Sequence, residues 1–395
     1  MAHFNKKIGF SMFLPVTIVF FLLGNILSLK AQSGETVTFA VIGDYGSEGQ
    51  ALQDVANLIL SWNPDLIITL GDNNYPDGDS TTIDPNIGQY FHSFISPYYG
   101  NFGTGADTNR FFPTLGNHDW RTTNAQPYLD YFTLPGNERY YDFVWGPVHF
   151  FALDSDGHEP DGNDQNSVQA GWLQTQLSQS QSPWNVVYFH HPPYSSGAHG
   201  SITHMQWPFK DWGASVVMAG HDHTYERLLV DSLTYFVNGI GGRSIYSFQD
   251  SLPQTQVRYN GDYGAMLVVA TQDSINFKFI NRSGVVIDSH TLYQTPTLID
   301  NRERNPISGT FVLEQNYPNP FNPSTEIRFE VPEKSPVSLR VFDITGRMVT
   351  TLVNEVLPGG SYRITYDAGQ LPAGVYFYQL SSSGIRLTRK MVLVK

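Results

Sequence analysis

Apolar positions in the first and larger part of the chain alternate between short dense runs and helically spaced stretches. Thr36–Ile42 is a β-branched apolar run that stops at Gly43-Asp44. Gln50–Trp62 carries Leu52, Val55, Leu58 and Ile59 at the spacing of one helix face. Asp65–Leu70 is a second dense run and stops at Gly71-Asp72; Phe111–Leu115 is a third and stops at Gly116-Asn117-His118-Asp119. Phe143–Leu153 predicts two strands around Gly146-Pro147, and Ser167–Leu177 predicts a helix with Trp172, Leu173 and Leu177 on one face. Trp184–Phe189 and Ala214–Met218 predict further strands. From Tyr225 to Leu292 the pattern is mostly β, with runs at Leu228–Val230, Thr234–Val237, Ala265–Ala270, Ile275–Ile280 and Val285–Ser289. Strands alternating with helices predict an α/β unit, a two-layer sheet sandwich flanked by helices, over residues 35–292.

The two ends of the chain read differently. Residues 293–310 are polar, with Pro296, Asn301, Arg302, Glu303, Arg304 and Pro306, and predict a linker. Residues 311–395 predict a small all-β sandwich from the alternating runs Glu326–Val331, Ser338–Phe342, Tyr362–Tyr366, Val375–Leu380 and Arg386–Val394, punctuated by Gly346, Gly359-Gly360, Gly374 and Gly384. At the other end Lys6 and Lys7 precede an apolar run from Ile8 to about Leu29, followed by Ala31-Gln32-Ser33-Gly34. That order predicts a signal peptide over residues 1–31, cut after Ala31. An uncleaved anchor is the competing reading, because the run is nearly long enough to span a bilayer. Gly24, Asn25 and Ser28 lower its hydrophobicity and favour cleavage. No other segment has the pattern of a spanning helix, so no stable transmembrane helix is expected in the mature chain.

Composition narrows the chemistry. The 395 residues are 41% hydrophobic and only 15% charged, with a net charge of −13, which argues against disorder and against binding nucleic acid or anionic membrane. Cysteine is absent, which removes disulfides, thiolate metal sites and thiol nucleophiles together. Any metal must be held by imidazole, carboxylate, amide or phenolate.

Such groups recur beside glycines just after apolar runs: Asp44, Asp72 with Tyr75, Asn117 with His118, His190, and His221 with His223. The carboxyl ends of strands in an α/β sheet share one rim where ligands bind. Hard and borderline donors without thiolate suit iron, zinc or manganese. One Asp between two cations can bridge them, and a pair of ions can clamp a phosphate and generate hydroxide from water. Taken singly, a Gly-Asp after a strand is a turn, and a Tyr is packing; their joint occurrence in this order points to a site. Asn238–Arg243, rich in glycine, is a candidate border of the same pocket.

These segments resemble the calcineurin-like metallophosphoesterases, and most closely the purple acid phosphatases of the small tartrate-resistant type, over about residues 36–292. The resemblance implies a four-layer αββα sandwich. It implies a first metal held by Asp44, Tyr75 and His223, a bridging Asp72, and a second metal held by Asn117, His190 and His221. Where most of that superfamily has Asp-x-His, this chain has Asp44-Tyr45-Gly46, and Tyr75 supplies the missing donor. A tyrosinate implies Fe(III) at the first site, with Fe(II), Zn(II) or Mn(II) at the second. The implied reaction is attack of a metal-bound hydroxide on a small phosphate monoester. His118 and His199 are the candidate general acids, and Asp119 and Asp222 the candidate supports of the ligands, Asp119 alternatively as a helix cap. His191, next to a proposed ligand, is expected to point away from the metals. Residues 311–395, opening with Asn316-Tyr317-Pro318-Asn319-Pro320-Phe321-Asn322-Pro323, resemble the type IX secretion C-terminal sorting domain. That implies export across the inner membrane by the signal peptide and across the outer membrane by the secretion machinery, to the surface or beyond.

Two other functions compete. A phosphodiesterase or nucleotidase would use the same metals with a different pocket shape. A non-catalytic surface-binding protein would show lost ligands, whereas all seven expected positions are filled.

Overall fold

The computed structural model describes residues 36–294, 299–300, 309–368, 371–382 and 384–394. The apolar run Ile8–Leu29 and the proposed cut after Ala31 lie outside them. Among the described residues no helix is long and apolar enough to cross a membrane.

Thirteen strands build two sheets. They are β1 (Val37–Ile42), β2 (Leu66–Thr69), β3 (Phe111–Phe112), β4 (Tyr141–Trp145), β5 (Val148–Ala152), β6 (Trp184–Tyr188), β7 (Val216–Ala219), β8 (Tyr225–Val230), β9 (Leu233–Asn238), β10 (Thr255–Tyr259), β11 (Gly264–Ala270), β12 (Ser274–Asn281) and β13 (Val286–Tyr293). The first sheet runs β13-β12-β11-β1-β2-β3 and the second β10-β8-β9-β7-β6-β5-β4. β1, β2 and β3 are mutually parallel, as are β5, β6, β7 and β9. Each sheet therefore has a parallel centre whose carboxyl ends can deliver side chains to one place.

The period of two along each strand explains the layering. On β5, Val148, Phe150 and Ala152 enter the core between the sheets, while Phe151 and Leu153 face outward. On β6 and β7, Trp184, Val186, Tyr188, Val216 and Met218 face in, and Val187, Phe189, Val217 and Ala219 face out. The outward set is covered by Ala170, Leu173 and Leu177 of the helix Val168–Gln179. That helix starts at Ser167, whose Oγ accepts from the Ala170 amide, the expected N-cap bond. The helix Gln50–Ser61 buries Leu52, Val55, Ala56 and Ile59 on the first-sheet side. This is a four-layer αββα arrangement. Aromatic rings lock its centre: Phe39 of β1 meets Phe150 of β5 edge-on at 5.0 Å, and Phe150 stacks on Phe143 of β4 at 4.8 Å.

Several details depart from the sequence pattern for identifiable reasons. The run Phe111–Leu115 is a strand only at Phe111–Phe112, because Pro113 has no amide to donate; beyond it the Thr114 amide meets the Thr69 carbonyl at 3.3 Å. β8 begins three residues before its apolar stretch. β10 lies at the edge of its sheet, where Val257 and Tyr259 are only half-buried between exposed Gln256 and Arg258, too short an alternation to stand out in the sequence. Trp172 is half-buried, and the helix instead buries Gln169 and Ala170.

The C-terminal unit has its own core and two antiparallel four-stranded sheets. Its long strands are Ser324–Val331, Ser335–Phe342, Met348–Leu357, Gly360–Asp367, Gly374–Ser382 and Ile385–Leu393. Short strands at Ile299–Asp300 and Val312–Leu313 extend the first of these sheets. Met348–Leu357 did not show in the pattern because a bulge opposite Leu339 and Arg340 turns both Leu352 and Val353 inward, breaking the alternation. The proline-dense opening folds around Asn316, whose amide donates to the Tyr378 hydroxyl at 2.7 Å, and around Phe321, which plugs the core.

Phe150→Ala removes the ring at the centre of the inter-sheet core. A loss of about 3–5 kcal/mol is expected in the denaturant unfolding of the phosphoesterase unit.

Candidate metal centre

The turns that follow the parallel strands converge. Asp44, Asp72 and His221 sit at φ 53°, 53° and 67°, left-handed conformations uncommon outside glycine and found at strained functional turns. Two glycines permit the approach. Gly71 (φ 82°) lies against the ring of His190, where a Cβ would stand 2.6 Å from Nδ1. A Cβ on Gly116 would collide with the Asp72 amide and carboxylate.

Two sub-clusters result. In the first, Tyr75 donates its hydroxyl to Asp72 Oδ2 at 2.8 Å and to Asp44 Oδ1 at 3.2 Å, and lies 3.3 Å from His223 Nε2. His223 Nε2 is 3.2 Å from Asp44 Oδ1. In the second, His190 Nε2 is 3.1 Å from Asn117 Oδ1 and 3.2 Å from His221 Nδ1. Asp72 stands between them, with Oδ2 on Tyr75 and Oδ1 3.4 Å from His190 Nε2. All seven residues singled out as metal donors therefore meet in one pocket.

The surrounding bonds aim these donors. His190 Nδ1 lies 2.8 Å from the Leu70 carbonyl, so that nitrogen carries the proton and Nε2 presents its lone pair. His223 Nδ1 is held 2.6 Å from Ser244 Oγ, which leaves its Nε2 inward. Tyr246 stacks on the His223 ring at 4.2 Å. Ser244 and Tyr246 were not legible in advance; the only local signal is the glycine run Gly239–Gly242 that delivers them.

Asp44 and Asp72 are buried, and among the described residues their ion-pair partners are imidazoles alone. Burial, then Asp44 and Asp72, holds the Tyr75 phenol well above its ordinary range, so it stays protonated unless a cation enters. Burial, then the neighbouring imidazole of His190, pushes His221 down, keeping it neutral. His190 loses by burial but gains more from Asp72 and Asp44, and its net direction is upward. Two buried carboxylates, a phenol touching both, an amide oxygen and three imidazoles form a donor set that fits two hard or borderline cations.

Three residues around the donors act otherwise than expected. Asp222 touches neither neighbouring imidazole. It accepts from Ser195 Oγ, from the His199 amide at 2.7 Å and from the Gly200 amide, and so fixes the loop that carries His199. His191 does not turn away: its ring lies 4.4 Å from that of His221, with Nδ1 on Ser155 Oγ at 2.9 Å. Asp119 caps no helix by its side chain. Its Oδ2 accepts from the Gly116 amide and from both nitrogens of Asn73, tying two ligand-bearing turns together.

The candidate acids lie on the rim. His118 tilts over Tyr75 at 4.3 Å, with Nδ1 on the Pro76 carbonyl and Nε2 3.9 Å from Asp72 Oδ2. His199 is exposed and stacks on His221 at 4.3 Å. A groove of about 730 Å³ on the C-terminal sheet, lined by Ser338, Glu355, Arg386 and neighbours, contains no imidazole and no comparable donor set.

A facing pair of sheets with this donor set at the carboxyl ends defines a metal-dependent hydrolase of phosphoric esters, and residues 37–225 match the calcineurin-like phosphoesterase family. The chain's relatives include purple acid phosphatases. It is 25% identical to purple acid phosphatase 17 of Arabidopsis thaliana, over 54% of this chain and 71% of that protein. It is 24% identical to purple acid phosphatase 7 of the same plant, over 73% of this chain and 98% of that protein. The fold is similar to that of GAP50, the anchor in the inner membrane complex of Plasmodium, with a TM-score of 0.52 and 18% identity over 66% of this chain and 89% of that one. Residues 315–395 match the secretion system C-terminal sorting domain, which indicates export by type IX secretion. The family and these relatives imply a dinuclear metal site.

Burial, then Asp72, pushes the Asp119 carboxyl up to about 7 in the metal-free pocket. In the unfolded chain it titrates near its ordinary 3.8. Between these values the folded state binds more protons, so stability falls as pH rises towards 7. Unfolding of the chelated protein followed across this range should show that decline, and Asp119→Asn should flatten it.

Proposed function

We propose that the chain is an exported two-metal phosphatase acting on phosphate monoesters, with a tyrosinate on its first metal. The observation that carries this reading is the two-sided carboxylate of Asp72, one oxygen on Tyr75 and the other towards His190. A group so placed is suited to bridging ions held by Asp44, Tyr75 and His223 on one side and by Asn117, His190 and His221 on the other. The phenol favours Fe(III) at the first position, with Fe(II), Zn(II) or Mn(II) at the second.

Two such ions supply Lewis-acid polarisation of a phosphoryl oxygen and acidify water. The chain's own residues do the rest. Tyr75 would give up its proton on taking a cation, a loss that burial, then Asp44 and Asp72, otherwise oppose. In hydrolysis a water oxygen bonds to phosphorus, the ester P–O bond breaks, and the departing oxygen takes a proton. His118 can deliver it through Nε2 only as the imidazolium, since Nδ1–H is engaged by the Pro76 carbonyl. His199 is a second donor, positioned by Asp222 through its backbone. Ser244 and Asn73 keep ligands and turns in register.

The purified full chain should contain two metals and show a visible tyrosinate-to-Fe(III) band that Tyr75→Phe abolishes. It should also hydrolyse p-nitrophenyl phosphate faster than its bis-ester. A colourless protein with two zinc ions and preferential diesterase activity would instead establish the diesterase reading.

Export rests on the two chain ends together: the signal-peptide pattern of residues 1–31 and the sorting domain. Deleting residues 315–395 should leave the phosphatase in the periplasm of a type IX-competent host. Fractionation that finds it still outside the cell would overturn this route.

A further inference from the structure

The loop after β9 carries a charge that the hydrolytic reading leaves unused. Four contacts fix it beside the first sub-cluster. Gly241 N donates to the Gly43 carbonyl at 2.9 Å, and Arg243 N donates to the Asp44 carbonyl at 3.1 Å. Tyr246 N donates to the His223 carbonyl at 2.9 Å, and Ser244 Oγ lies 2.6 Å from His223 Nδ1. The Arg243 backbone is thus placed as firmly as the ligands themselves. Its side chain is exposed, and the guanidinium stands 5.2 Å from the centre of the Tyr75 ring. Among the described residues no carboxylate or carbonyl accepts from it.

The other cation at the rim is engaged. Arg121 lies 2.9 Å from Asp77 Oδ1 and 3.0 Å from the Pro76 carbonyl, and reaches His118 Nε2 at 3.4 Å. Arg243 therefore presents a free planar fork next to the pocket, in a chain whose net charge is −13. An exposed cation–π contact contributes only about 0.5–1 kcal/mol. The contact leaves the guanidinium N–H groups free to take a ligand. A guanidinium fork matches two phosphate oxygens geometrically, and more closely than an ammonium does.

We infer that Arg243 is a specificity-determining residue that grips a second phosphoryl group of the substrate while the first lies over Asp44 and Asp72. This rests on the phosphatase reading and deepens it. The favoured substrates are phosphoanhydrides and closely spaced bisphosphates rather than esters with an uncharged leaving group. An acidic protein repels a doubly phosphorylated ligand at long range, so a local arginine is what makes such a ligand competitive.

The test is calorimetric titration of the metal-loaded full chain with methylenediphosphonate, whose P–C–P bridge is not hydrolysed, and with methylphosphonate. The readout is the ratio of the two affinities, which involves no turnover. The wild type should bind the diphosphonate at least tenfold more tightly, and Arg243→Ala should lower that ratio by tenfold or more. Arg243→Lys, which keeps a point charge but not the fork, should recover part of it. A ratio within threefold of wild type in Arg243→Ala overturns the proposal. So does a variant that only shifts the visible band, because Arg243 then acts through the Tyr75 ring alone. Failure of the phosphatase reading shows separately, as metal-loaded protein that hydrolyses no phosphate ester whatever its affinity ratio.

Discussion

Two carboxylates, Asp44 and Asp72, are buried side by side, and among the described residues no lysine or arginine balances them. Much of the surrounding structure answers to that constraint. Burying negative charge without compensation is costly, and backbone and side-chain donors offset only part of it. The His221 amide reaches Asp44, the His118 amide reaches Asp72, and the Tyr75 hydroxyl reaches both. The imidazoles that complete the shell are turned inward by the Leu70 carbonyl and by Ser244. The whole assembly is a cradle whose donors suit a positive occupant.

The scaffold makes this tolerable. Parallel strands at the centre of both sheets bring their carboxyl ends to the same edge. The aromatic core between the sheets holds those ends at a fixed separation. Asn73 and Asp119 then tie the turn after β2 to the turn after β3, and Asp222 ties the turn after β7 to the loop of His199. Catalytic groups on loops become precise when loops are cross-linked in this way.

Much of this was visible in the chain before any coordinates. Apolar runs ending in Gly-Asp, Gly-Asn-His and Gly-His-Asp-His announce strands followed by ligand-bearing turns, and both signals act over a few residues. What could not be read acts over longer range or runs against the local pattern. Ser244 and Tyr246 serve His223 from a separate loop. The side chain of Asp222 is adjacent to two imidazoles in sequence yet bonds to residues more than twenty positions earlier. His191 meets His221 because two strands lie next to each other, which no spacing reveals. β10 is an exposed edge, and the bulge at Leu352 disguises a strand that is otherwise regular.

The left-handed backbone at Asp44, Asp72 and His221 has a consequence for how the pocket can change. A branched or bulky side chain disfavours that conformation, whereas Asp, Asn and Gly accept it. Donor swaps at the two aspartates are therefore filtered twice, once by the ion and once by the winding of the main chain. Evolution can retune this centre more readily at Tyr75 and Asn117, whose backbones carry no such restriction, than at Asp44, Asp72 and His221.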